Sequence, residues 1–246
     1  MTGLPEFIID KSMRLIARYL AAGKLTTVAR GTANLPAQGP ALIVARHYHH
    51  LFDGLTFFTA VERRFHIVVT MDWVENRRTK FFMQSINRMA RWPMLLRSDA
   101  LERPENKQHC LFSARDVTRY QRQALREAVE LLIEGRILVV FPEGYPNIDP
   151  TYTPKTEPDQ FLPFKPGFLN ILRAAEARLG RKIPIVPAGI RYDQGKLWQG
   201  FLTFGEPIYR DQAKGRDELT EGLEYEVKRL SGMAVENRST RLSINI

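Results

Sequence analysis

Cysteine is almost missing from this chain: Cys110 is the only one. No disulfide can close within it, and a reducing, intracellular setting fits that. Long hydrophobic runs are missing too. The longest stretch without Asp, Glu, Lys or Arg runs from Gly31 to Ala45, short of the roughly 18 apolar residues that a bilayer span needs, and it is broken by Asn34, Pro36, Gln38 and Pro40. The opening MTGLPEFIIDK carries Glu6 and Asp10 and no long apolar core, so it does not read as a secretory signal. Repeats, low-complexity tracts and composition breaks are absent as well. What remains is ordinary globular material: 246 residues, 44% hydrophobic and 26% charged, enough for one large domain. Acidic residues are the scarcer sign, which leaves a formal net charge of +9. That surplus suits an anionic partner such as phosphate groups, an anionic membrane or nucleic acid.

The chain opens on an amphipathic segment, Glu6 to about Ala22. Ile9, Met13, Ile16 and Leu20 fall on one helical face, while Lys11, Arg14 and Arg18 fall on another. Such a helix either packs on the domain or lies in a membrane interface with its basic groups toward lipid headgroups. Strands and helices then alternate. The spacing predicts strands at Ala41–Ala45, Phe65–Thr70, Pro93–Leu96, Arg136–Phe141, Ile183–Ile190 and Phe201–Phe204. Helices are expected at Gly54–Val61, Lys80–Ala90, Tyr120–Glu134, Pro166–Leu179 and Glu218–Met233. Residues 99–118 read as irregular, and five prolines between 146 and 163 mark a long loop, a place where function often sits. Pro184 and Pro187 suggest an edge or bulged strand, since proline cannot donate to a central ladder. The pattern as a whole is α/β: a single domain with a mostly parallel or mixed central sheet flanked by helices, preceded by the N-terminal amphipathic helix.

Chemistry-bearing residues cluster after the strands. Arg46-His47-Tyr48-His49-His50-Leu51-Phe52-Asp53-Gly54 lies where a buried strand gives way to a helix, and ligand sites in open α/β sheets gather at strand C-termini. A histidine whose Nδ1–H is held by a carboxylate keeps Nε2 free to take a proton, which is general-base chemistry. The alternative, a metal site, would want more ligands in register; there is no second cysteine, and His66 and His109 have no matching spacing. After the strand Arg136–Phe141 comes Pro142-Glu143-Gly144-Tyr145. Glycine there lets backbone approach a ligand, and Glu143 can orient a hydroxyl or a nearby cation. Arg97, ending its own strand, is positioned to bind phosphate.

Taken in order, the His-then-Asp turn, the apolar strand ending in Arg97, the Phe-Pro-Glu-Gly turn and the Pro-Ile-Val-Pro-Ala-Gly-Ile strand resemble the glycerolipid acyltransferases of the lysophosphatidate acyltransferase type. The lead-in Val28-Ala29-Arg30-Gly31, the helix start Phe164-Lys165-Pro166-Gly167 and the segment Phe204-Gly205-Glu206-Pro207-Ile208 are similar to that family as well, so the likeness spans roughly residues 26–210. The chain departs from the pattern in three places. Five residues, not four, separate His47 from Asp53. Arg46 stands where an Asn is usual. Tyr145, Pro146 and Asn147 stand where Thr-Arg-Ser is common.

The resemblance implies residues 1–24 as an amphipathic helix and 25–246 as an acyltransferase domain. It implies an O-acyltransferase that moves a fatty acyl group from acyl-CoA or acyl carrier protein to a hydroxyl of a lysophospholipid such as lysophosphatidate. His47 is then the base and Asp53 its partner, with His49 the competing base. Arg97, Glu143 and Gly144 bind the acceptor, and Cys110 takes no part. The thioester is a co-substrate; no metal or other cofactor is expected. Contact would be with one membrane face, on the cytoplasmic side. Two rivals remain: a catalytically decayed lipid-binding protein of the same fold, and a basic nucleic-acid-binding domain. No nucleic-acid recognition motif is visible, and the basic residues are scattered rather than striped with aromatics, so no nucleic acid partner is expected.

Overall fold

In the computed structural model of the protein, residues 3–103, 111–210 and 216–234 are described. Cys110 and His109 lie outside them. The chain forms one α/β domain around a six-stranded sheet of order β1-β8-β7-β2-β6-β3, comprising β1 (Leu25–Arg30), β2 (Ala41–Ala45), β3 (Phe65–Ile67), β6 (Ile137–Val140), β7 (Ile185–Asp193) and β8 (Trp198–Phe204). Every neighbouring pair is parallel except β7 and β8, so the sheet is mixed. A two-stranded parallel ribbon, β4 (Val69–Thr70) with β5 (Met94–Leu95), extends it. The helices are α1 (Gly3–Ala21), α2 (Phe52–Ala60), α3 (Arg77–Ala90), α4 (Ser98–Leu101), α5 (Ala114–Ile133), α6 (Gly167–Leu179) and α7 (Arg216–Leu230).

The Ala-Leu-Ile-Val-Ala run is continuous because β2 is buried on both faces. Ala41, Ile43 and Ala45 meet the core beneath α1 and α2, together with Phe57, Phe65 and Phe204. Leu42 and Val44 meet the opposite core, with Leu132, Leu172 and Leu223 from α5, α6 and α7. Both layers hold the C-terminal ends of β2 and β6 side by side, and that edge is where the turns of interest emerge.

The structure corrects several expectations. The Pro-bracketed strand is central, not an edge: β7 sits between β2 and β8. Leu42 N–H donates to the Pro184 carbonyl and Arg46 N–H to the Ala188 carbonyl, so even-numbered residues of β7 turn toward β2. Pro187 turns the other way, toward Gly205: its carbonyl accepts from Gly205 N–H (2.9 Å), and β8 pairs from Ala188 onward. Its missing N–H therefore forgoes one bond just past the end of that pairing, not one inside it. Phe65–Thr70 divides at Val68: β3 joins β6 in the main sheet, and β4 leaves it to pair with β5. Strand β1 was not expected; its sequence, Leu-Thr-Thr-Val-Ala-Arg, is mostly half-exposed at the sheet edge and carries no clean alternation. Within the stretch read as irregular, α4 forms, and α5 starts at Ala114 behind a capping box of Ser113 and Asp116.

The packed face of α1 also differs from the periodic reading. Ala17 and Ala21 are buried, while Ile16 and Leu20 are exposed. Small side chains let the helix approach α2 closely. Arg14 then reaches across, donating to the carbonyls of Phe58 (3.2 Å), Val61 (2.6 Å) and Arg63 (3.1 Å), and so satisfies the C-terminal end of α2. Arg14 therefore faces the protein.

Candidate active site

The chain between β2 and α2 wraps around one carboxylate. Asp53, in the first turn of α2, is 1% exposed. Its Oδ2 faces His47 Nδ1 at 2.8 Å and accepts from Tyr48 N–H at 2.7 Å. Its Oδ1 accepts from His49 N–H at 3.1 Å and from the Tyr192 hydroxyl at 2.8 Å. The longer His–Asp spacing thus closes to a 2.8 Å pair, with two of the intervening residues, Tyr48 and His49, turning their N–H groups onto Asp53. An ionised carboxylate accepts only, so His47 Nδ1 carries the proton and Nε2 holds the lone pair. Among the described residues nothing bonds Nε2. The ring stacks on Phe141 at 4.5 Å, which fixes its plane.

His49 has a different task. Its Nδ1 accepts from Leu51 N–H (3.1 Å) and Phe52 N–H (3.2 Å), so the imidazole caps the start of α2. A cap of this kind must be neutral. Burial, with a further push from His50, lowers the His49 pKa to about 4. Buried His66 on β3, its Nδ1 bonded to the Ala90 carbonyl, is likewise held at about 4 by burial. The folded state binds these protons less readily than the unfolded chain, whose histidines titrate near 6.5. Their contribution to stability is therefore complete above pH 6.5 and is lost as pH falls toward 4. His49→Asn places an amide oxygen where Nδ1 stands and keeps the cap without the titration. The fall in melting temperature between pH 6.5 and 4 should be smaller in that variant, with the remainder due to His66 and to the carboxylates of Asp99, Asp116 and Glu134, which their hydrogen-bond partners hold below the usual range. An unchanged fall would deny His49 its capping role.

Tyr192, at the far end of β7, was not singled out from the sequence, and no spacing marks it. Burial and the neighbouring Asp53 charge hold its hydroxyl well above the usual phenol range, so it stays protonated and donates. Thr56 Oγ1 lies 3.2 Å from the same hydroxyl.

The other turn, Phe141–Tyr145, runs beside this one. Glu143 is 1% exposed; its Oε1 accepts from His47 N–H (2.8 Å), and its Oε2 accepts from Leu162 N–H (3.0 Å) and lies 2.6 Å from Lys155 Nζ. Gly144 adopts a left-handed φ of 77°, which glycine takes without penalty. Its carbonyl accepts from Arg97 Nη1 at 2.6 Å, while Arg97 Nε and Nη2 bond Asp72 Oδ2 at 2.9 and 2.5 Å. The Arg97 guanidinium lies 3.9 Å from the centre of the Tyr145 ring. Arg103 donates to the Tyr145 hydroxyl (2.9 Å), which itself donates to Asp99 (2.9 Å), and Lys165 lies 3.2 Å from Asp99. A cationic corner of Arg97, Arg103 and Lys165 therefore surrounds Tyr145, one residue from Gly144 and two from Glu143. Arg103 carried no signal in sequence because it comes from the stretch read as irregular. Among the described residues, no group of three or more His, Cys, Asp or Glu side chains converges to hold a metal ion.

An α/β domain with a His paired to a buried Asp at the end of a central strand, and a Phe-Pro-Glu-Gly turn beside it, defines a class that sequence comparison identifies. The sequence model of the Acyltransferase family matches residues 27–191, and the chain belongs to that family. Its fold is similar to that of the 1-acyl-sn-glycerophosphate (LPA) acyltransferase PlsC from Thermotoga maritima, known from a crystal structure: 21% identity, a TM-score of 0.54, and coverage of 91% of this chain and 77% of that one. None of the curated protein sequences matches this chain.

Proposed function

We propose that this acyltransferase moves a fatty acyl group from an acyl thioester, carried by CoA or by acyl carrier protein, to a hydroxyl of a lysophospholipid such as lysophosphatidate. The observation that carries this reading is the His47–Asp53 pair with Nε2 left open. Nε2 takes the proton of the acceptor hydroxyl as its oxygen attacks the thioester carbonyl. The tetrahedral intermediate collapses, the C–S bond breaks, and the thiolate leaves and is protonated by the imidazolium. Asp53 holds the ring and stabilises its charged form meanwhile. The Arg97–Gly144 corner, with Arg103 and Lys165, is a cationic setting for the acceptor's phosphate, with Glu143 behind it. A formed dyad argues against the decayed-site rival. The test is thioester consumption by the purified protein over a panel of lysophospholipids with CoA and carrier-protein donors. Turnover with a phosphate-bearing acceptor supports the reading; none with any member of the panel overturns it.

The acceptor's own acyl chain lives in a bilayer. Among the described residues no helix is long and apolar enough to cross one. The protein would instead meet one membrane face, which the reading places on the cytoplasmic side. Two packed helices, α1 and α3, offer the surface: Leu15, Tyr19, Phe81 and Phe82 are 69%, 81%, 74% and 62% exposed. Exposed Arg77, Arg78 and Arg88 share α3 with the two phenylalanines. Near an anionic surface each basic residue contributes about 1 kcal/mol, within a Debye length. Sedimentation with anionic vesicles should weaken as salt rises. The double change Phe81→Ser, Phe82→Ser should weaken it about tenfold further, as expected for losing two inserted side chains, without disturbing the fold. Deleting α1 is the poorer test, because Arg14 supports α2. Binding that ignores both salt and this double change would remove the membrane assignment from α3.

A further inference from the structure

Buried charges outside the dyad point to a residue that the acyl-transfer chemistry does not use. Lys155 lies in the proline-rich loop between β6 and α6, and neither its side chain nor that of Glu143 has any solvent exposure. Burial lowers the Lys155 pKa, and the Glu143 carboxylate opposes that shift. All three ammonium directions are used. Nζ meets Glu143 Oε2 at 2.6 Å, donates to the His47 carbonyl at 2.9 Å and donates to Asn147 Oδ1 at 3.0 Å. Glu143 Oε1, in turn, accepts from His47 N–H. The contacts close a ring: His47 N–H to Glu143, Glu143 to Lys155, and Lys155 back to His47 C=O. The two peptide groups that flank the His47 side chain are thereby clamped by one buried ion pair.

The loop is built to present this lysine. Asn147, at its start, donates to the carbonyls of Pro158 (3.0 Å) and Gln160 (2.9 Å) at its end. Ile148 N–H donates to the Tyr48 carbonyl (2.8 Å), and His50 N–H donates to the Ile148 carbonyl (3.0 Å), so the loop is laced along the same segment that carries His47. Asp53 and Phe141 fix the imidazole. The Glu143–Lys155 pair fixes the backbone from which that imidazole projects.

We infer that Lys155 is a positioning residue of the active site, which sets the place of the His47 base by clamping its backbone through Glu143. The inference rests on the acyl-transfer reading for its kinetic arm only. A base displaced by about 1 Å loses on the order of a hundredfold in rate, while substrate binding away from it is unaffected.

The experiment compares the parent protein with Lys155→Met and with the double variant Glu143→Gln, Lys155→Met. Lys155→Met strands a buried carboxylate, so its melting temperature should drop; the double variant removes both charges and should recover part of that drop, the remainder being the Gln NH2 that faces the N–H of Leu162 or of His47. In both, the His47 carbonyl has lost its donor. In both, therefore, kcat should stay some 10- to 100-fold down with KM for acceptor and thioester within twofold. Hydrogen–deuterium exchange of peptides spanning residues 46–50 should also quicken about tenfold in both, with peptides from β7 unchanged. That readout needs no substrate, so it tests the clamp even if acyl transfer is not the reaction. A merely structural lysine gives a different result: kcat and local exchange return with the melting temperature in the double variant. That outcome overturns the inference, as does unaltered exchange at residues 46–50 in both variants. If Lys155→Met fails to fold, the double variant alone decides between the two results, and a double variant no more stable than the single one counts against the ion pair itself.

Discussion

Replacing His47 with alanine should lower kcat/KM for acyl transfer by about 10²–10⁴, the usual cost of a lost general base, while the protein keeps its melting temperature within a few degrees. The fold has little stake in that ring, which is only partly enclosed and bonds through Nδ1 alone. His49→Ala should give the opposite profile. The imidazole of His49 caps α2, so its loss costs about 1 kcal/mol of stability, but the backbone N–H that His49 donates to Asp53 survives in alanine. Activity should then stay within a few-fold of the parent. The pair of variants, assayed by thioester consumption and by thermal melting, separates the two histidines by sign: one loses rate and keeps stability, the other loses stability and keeps rate. An inactive His49→Ala beside a near-normal His47→Ala would assign the base to the wrong histidine here.

The two histidines were both candidates in the sequence because spacing alone favours neither. A four-residue gap would have suggested one register; the chain has five residues before Asp53 from His47 and three from His49. What decides between them is the path of residues 48–51: Tyr48 and His49 turn their N–H groups onto the carboxylate, His50 donates to the Ile148 carbonyl and Leu51 to His49 Nδ1, and no side-chain pattern encodes such a path. The central sheet was easier to read. Ala41–Ala45 and Ile137–Val140 are apolar throughout because both faces are covered, and burial of that kind leaves a continuous signature. Edge strand β1 leaves none, since its mixed residues serve neither a full face nor an alternating one. Pro187 misled for a definable reason: the rule against proline in a central ladder holds per hydrogen bond, and this proline stands just past the end of the β7–β8 pairing, where its carbonyl still accepts from Gly205 N–H and a single bond is forgone. Tyr192 and Lys155 were invisible for another reason. Each acts across more than 100 residues of sequence, on Asp53 and on His47 respectively, and a lone Tyr in a strand or a lone Lys in a proline-rich loop has no local pattern to betray it. The helix α1 fell between these cases. Its existence was legible, its orientation was not, because two alanines rather than the larger Ile16 and Leu20 make the contact.

Asp53→Asn should cost nearly as much rate as losing the base, on the order of 10³–10⁴ in kcat, and should cost stability as well. Four donors converge on this carboxylate: the Nδ1–H of His47, the N–H groups of Tyr48 and His49, and the hydroxyl of Tyr192. An amide offers one acceptor oxygen and one NH2. Whichever way it turns, its NH2 meets at least one backbone N–H that cannot reverse its polarity, and a buried donor left facing a donor costs about 1–3 kcal/mol. If the amide oxygen faces Tyr48 and His47, the NH2 meets the His49 N–H and that pairing fails, while the Tyr192 hydroxyl must turn to accept. If it faces His49 and Tyr192, the NH2 points at His47 and forces the imidazole to the other tautomer, with the proton on Nε2 where the acceptor hydroxyl must deliver its own. The negative charge that stabilises the imidazolium is gone in either case. Tyr192→Phe is the graded control. It removes one donor of four, leaves the carboxylate charged and leaves both backbone bonds in place, so a fall of only several-fold in kcat is expected. Steady-state kinetics on the two variants, with melting curves alongside, test the order Asp53→Asn far below Tyr192→Phe. An Asp53→Asn protein that kept most of its rate would reduce Asp53 to an organiser of the α2 start, and the His47 pairing to a by-product of it.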